Sequence, residues 1–134
     1  MKQWIAGAVL LVALGAFAAN KYNKPKSVVH VITLYYKDGT TDEQKKAVLD
    51  ATEKMASEVP GLKNLWLKPL KVQGSAQEKQ LDGTIKTRQF TDAIVMEFES
   101  EAAFKAYENH PAHRAWETVY TAVRGRSSTH DITN

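Results

Sequence analysis

The stretch from Tyr107 to Trp116, YENHPAHRAW, sets two of the four histidines beside a tyrosine, a proline and a tryptophan. Pro111 decides how it folds. A helix arriving from the N-terminal side cannot continue past it, because the ring clashes with the carbonyl of Tyr107 and there is no N–H to donate. The same residue suits the first turn of a new helix, where a missing donor is no loss. The stretch therefore joins a pair of helices. Upstream, Ser100 is a good N-cap with Glu101 in the first turn, and Phe104 with Tyr107 makes one short apolar face. Downstream, Ala112, Ala115, Trp116, Val119, Tyr120 and Val123 recur at the spacing of a buried stripe, which Gly125 stops.

Strands flank this pair. Phe90 to Glu99 alternates, with Ile94, Met96 and Phe98 on one face and Ala93, Val95 and Glu97 on the other. Val28 to Tyr36, VVHVITLYY, is rich in β-branched and aromatic residues and ends at the turn signal Lys37-Asp38-Gly39. It places His30, Ile32, Leu34 and Tyr36 on one face and Val29, Val31, Thr33 and Tyr35 on the other. Both faces carry apolar side chains, and in a domain this small helices can cover only one, so the other predicts a homodimer through the open sheet face. Thr41 to Gln44 has the form of a capping box, Ala47, Val48, Ala51, Met55 and Val59 follow at helical spacing, and Pro60-Gly61 ends the helix. Leu62 to Val72 reads as a second strand with Leu65 and Leu67 on one face and Leu62 and Trp66 on the other, and Pro69 puts it at an edge or a bulge. Gln73 to Gln89 is polar and without period, so it reads as a solvated excursion between strands, with a lid as the alternative. Ser127 to Ile132 is a last strand, polar for its position. The order strand, helix, strand, strand, helix pair, strand is α+β, the ferredoxin-like βαββαβ arrangement with an antiparallel sheet and helices on one face.

The chain has 134 residues, enough for one core, and a formal net charge of +3. It has no arginine-rich run or basic stripe interleaved with aromatics, so nucleic-acid binding is not expected. Cysteine is absent, which excludes disulfides, thiolate metal sites and cysteine nucleophiles. Met1-Lys2, an apolar run to Ala19, and small residues at Ala16 and Ala18 have the layout of a secretory signal. Residues 1–19 are thus expected to be a signal peptide, with an uncleaved anchor as the alternative, 20–27 a linker, and 28–134 the domain. The protein is expected to be exported, periplasmic or secreted, and off the membrane once the signal is cleaved.

His110 precedes a proline and is pushed toward extended backbone, so it lies in the connection or at the N-cap. His113 falls in the first turn of the next helix, where the positive end of the helix dipole lowers the pKa and leaves a neutral ring able to act as a base. Tyr107 can aim its hydroxyl at the same concavity as a donor. His113 and Tyr107 are the candidate catalytic pair, and His30, His110 and Trp116 the candidate ligand-binding residues. The alternative for each is a cap or core role. A metal reading would need His30, His110 and His113 together, but Pro111 spoils the spacing and no carboxylate is positioned with them, so no metal and no cofactor are expected.

The segments VVHVITLYYKDGTTDEQKK, EVPGLKNLWL and TDAIVMEFESEAAFKAYENHPAHRAW resemble the stress-responsive A/B barrel, or Dabb, domain, from about Val28 to the C-terminus. The resemblance implies a ferredoxin-like protomer whose sheet packs on that of a second copy as a dimeric α+β barrel. The motif is similar to that of a polyketide-cyclase member, which implies catalytic roles for Tyr107 and His113, a pocket position for His30, and an aldol-type condensation with His113 as base. The export signal, the Gln73 to Gln89 excursion and the polar final strand depart from that member. The expected function is binding of a small, partly apolar molecule between sheet and helices, with a stress-related role. The alternatives are an acid/base enzyme, akin to the cyclase or to the monooxygenases that share the barrel, and a purely structural, stress-stable oligomer.

Overall fold

The computed structural model describes residues 23–69 and 74–134. The expected signal peptide and the first residues of the linker lie outside them. Strand β1 (Val28–Tyr36) is followed by α1 (Asp42–Glu58), β2 (Leu62–Pro69), β3 (Ser75–Lys79), β4 (Ile85–Gln89), β5 (Asp92–Phe98), α2 (Glu101–Glu108), α3 (Pro111–Val123) and β6 (Arg124–Ile132). Four of these strands form one antiparallel sheet in the order β2-β5-β1-β6. This is the ferredoxin-like α+β arrangement, and the helices pack on one face of the sheet.

The faces divide as period-two alternation predicts. Val28, Ile32 and Leu34 of β1 and Ile94, Met96 and Phe98 of β5 are buried against Val48 and Met55 of α1, Tyr107 of α2, and Trp116, Tyr120 and Val123 of α3. The helix starts are also where local chemistry puts them. Thr41 and Gln44 form the reciprocal capping box of α1, and the Ser100 hydroxyl accepts the Ala103 N–H at 3.2 Å. Gly61 ends the α1 turn at φ +81, and a Cβ there would fall 2.6 Å from that of Ala103.

Three expectations need correction. Leu62 faces the core with Leu65 and Leu67, because β2 pairs Leu62 with Phe98 and Asn64 with Glu97, leaving Lys63 as an extra residue. Such a bulge resets the alternation, so Trp66 points outward without Leu62 and is 50% exposed.

The Gln73 to Gln89 stretch is a β-hairpin, not an irregular excursion: β3 and β4 pair from Ser75↔Gln89 to Lys79↔Ile85. It has little apolar alternation and is held by polar contacts. The Tyr35 hydroxyl donates to the Glu78 carboxylate, Arg88 grips Asp38 at 2.6 and 2.5 Å, and Arg126 donates to the Gln77 carbonyl at 3.0 Å. Ala76 is buried, and the Phe90 ring stacks 6.2 Å from that of Tyr35. Tyr35 and Arg126 are register partners on the side of the sheet away from the helices, so the hairpin lies over one end of that side.

Gly125 is not a helix stop. Arg124, with extended backbone, caps α3 and at once begins β6. Gly125 is the extra residue where Tyr35 pairs with Arg126 and Tyr36 with Arg124, and a Cβ on it would meet the Tyr35 ring at 2.5 Å.

Candidate functional site

The break at Pro111 shapes the site. His110 has the extended backbone of an N-cap, with φ −70 and ψ 138, and its Nδ1 accepts the Ala112 N–H at 3.2 Å. The ring therefore serves the helix, and His110 is not among the residues that line the cavity described next. An extended residue before proline presents its side chain to the first turn of the new helix, which is the reason.

A cavity of about 200 Å³ lies between α2, α3 and the β1–β6 half of the sheet, and His30, Tyr107, His113 and Trp116 all line it. The Tyr107 and His113 ring centres are 4.1 Å apart, those of His30 and Tyr107 6.0 Å, and those of His113 and Trp116 5.5 Å.

His113 Nδ1 stands 3.2 Å from the Glu108 carbonyl oxygen. A carbonyl can only accept, so Nδ1 carries the proton and the neutral ring keeps its lone pair on Nε2. That Nε2 lies 3.9 Å from Glu117 Oε1. Burial holds the His113 pKa below its ordinary value, against the opposing pull of the Glu108 carbonyl and Glu117. The direction is the one expected from sequence, but burial is its leading cause.

The Tyr107 hydroxyl is buried and has no hydrogen-bond partner among the described residues. Burial, reinforced by the Glu117 charge, pushes its pKa well above the usual phenol range, so it remains a donor. Trp116 is less free. Its indole N–H donates to Thr52 Oγ1 at 2.8 Å, and the Thr52 hydroxyl donates in turn to the Val48 carbonyl at 2.7 Å. Only the ring face of Trp116 is offered to the cavity.

His30 is 9% exposed, and its Nδ1 is 2.5 Å from Asp131 Oδ1, across the β1–β6 pairing. Asp131 was not legible in the sequence, since only the register of a polar edge strand brings it opposite His30. Glu117 had a signal, lying four residues after His113 on the same helix face. Phe104, Tyr120 and Arg124 also line the cavity, from α2, α3 and the α3–β6 junction. Among the described residues no group of three or more His, Asp or Glu side chains is placed to hold a metal ion.

Solved structures show the same fold. A dimeric ferredoxin-like protein of unknown function from Thermobifida fusca matches with a TM-score of 0.64 and 21% identity, over 86% of this chain and 97% of that one. A Dabb family protein from Mesorhizobium loti gives 0.63 and 16%, over 81% and 96%. A hydroxynitrile lyase from Passiflora edulis gives 0.61 and 17%, over 81% and 93%. No curated protein matches the chain. The family model for the stress responsive A/B barrel domain, Dabb, matches residues 28–134, and the chain belongs to that family.

Proposed function

We propose that the protein is an exported homodimer that binds a small, partly apolar molecule in the cavity between sheet and helices. The observation that carries the reading is the Tyr107 hydroxyl, buried and without a hydrogen-bond partner among the described residues, on a ring whose centre is 4.1 Å from that of His113. Leaving a buried hydroxyl unpaired costs on the order of 1–3 kcal/mol, and native proteins leave few such groups. A ligand oxygen would satisfy this one. The rings of Phe104, Trp116 and Tyr120 supply the apolar walls. The space left among them weighs against a purely structural role.

Dimerisation is supported by the outward Val29, Val31 and Val95 and the half-exposed Trp66 on one sheet face, and by relatives described as dimeric. Export rests on the Met1 to Ala19 pattern.

A second reading, acid/base catalysis, is favoured by the fixed His113 tautomer. Nε2 can take a proton, Glu117 can stabilise the imidazolium that results, and the Tyr107 O–H can hold an oxygen that gains charge.

Native mass spectrometry of the full chain recovered from its own compartment tests the first reading. A dimer retaining a small molecule is expected, with Tyr107→Phe losing the molecule while its stability is unchanged or rises by about 1 kcal/mol. A bare dimer with no retained mass, unaltered by Tyr107→Phe, would return the protein to a structural role.

A further inference from the structure

The cavity has charge at both ends, and the ends differ. His113, Trp116, Tyr120 and Arg124 follow one another at three- and four-residue steps, so α3 and its cap present them on one face. The His113 and Trp116 ring centres are 5.5 Å apart, those of Trp116 and Tyr120 4.5 Å, and the Arg124 guanidinium lies 5.4 Å from the Tyr120 ring. All four line the cavity. At the His113 end Glu108 and Glu117 also line it, and at the Arg124 end Ser127 and Thr129 do.

Arg124 has no carboxylate partner among the described residues. Glu117 is paired with Arg114 at 2.7 Å, whereas the Arg124 side chain has one hydrogen bond among the described residues, to Ser127 Oγ at 3.3 Å. Its guanidinium lies over the Tyr120 ring, and its planar fork has more donors than the Ser127 hydroxyl takes up.

We infer that the ligand carries a carboxylate, which Arg124 receives beside Ser127 while a flat apolar body lies along Tyr120 and Trp116 toward His113. The inference rests on the reading of this cavity as a binding site. Orientation follows from charge, since the reversed pose would set the carboxylate against Glu108 and Glu117. A guanidinium matches a carboxylate as a two-pronged donor, and partial burial strengthens the charge-assisted bonds. The cavity, at about 200 Å³, is below the size of drug-sized sites and suits a small acid.

Titration calorimetry of the full chain with 3-phenylpropionate and with 3-phenylpropionamide tests this, since the two probes differ in charge and hardly in shape. The acid is expected to bind at least about tenfold more tightly than the amide, and added salt should narrow the gap. Arg124→Gln should weaken the acid by about that factor and leave the amide unchanged, with a melting curve confirming that the variant folds. Equal binding of acid and amide to the unmodified protein overturns the carboxylate inference and leaves the binding cavity standing. Failure of both to bind at millimolar concentration overturns the inference together with the reading it rests on.

Discussion

Burial disfavours the charged form of His113, and this has a consequence for pH. The folded protein holds its pKa below the ordinary value of 6.5, so across that window the unfolded chain binds more protons than the folded one. Stability from this residue is complete above about pH 6.5 and is lost as pH falls through the folded value. Among the charged groups near it, Arg114 reinforces the effect and Glu117 opposes it. The melting temperature should fall on acidification from pH 7 to pH 5, and His113→Gln should flatten that slope. Parallel slopes in the two proteins would show that another group titrates. At this scale the sequence placed His113, Tyr107 and His30 about one cavity, since a proline break and strand alternation are local facts. It left His110 between the connection and the cap, and the structure puts its ring on the Ala112 N–H.

The helices are joined by one buried hydrogen bond that the sequence did not reveal. Thr52 is wholly buried on α1, and its hydroxyl receives the Trp116 indole N–H from α3. Thr52→Val keeps the shape and leaves the indole unpaired, at an expected cost of about 1–3 kcal/mol in chemical denaturation, whereas Thr52→Ser should recover most of it. A Val variant as stable as the parent would mean that the bond is dispensable. The β3–β4 hairpin and the Leu62 bulge escaped a reading by periodicity for related reasons. The hairpin is held by Arg88, Asp38, Glu78 and Tyr35 rather than by an apolar face, and the bulge at Lys63 is a property of pairing with β5.

For the whole molecule, the proposed assembly concerns the side of the sheet away from the helices. The hairpin covers its Tyr35 end, leaving Val29, Val31, Val95 and Trp66 for the proposed second copy. Val95→Lys places a charge in the middle of that surface without entering the helix-side core, and light scattering should report a monomer at micromolar concentration. A variant that remains dimeric would place the interface elsewhere.

By itself the sequence determined the α+β class, the faces of β1 and β5, the helix starts and the break at Pro111. Caps, proline geometry and two-residue alternation act over a few neighbouring residues, so they are written in the chain. Only the tertiary structure decided that Asp131 meets His30, 101 positions away, which of the His113 nitrogens keeps its lone pair, and that Arg124 faces the cavity with no carboxylate partner among the described residues. Those outcomes depend on strand register and on which groups are left over once every other partner has been taken.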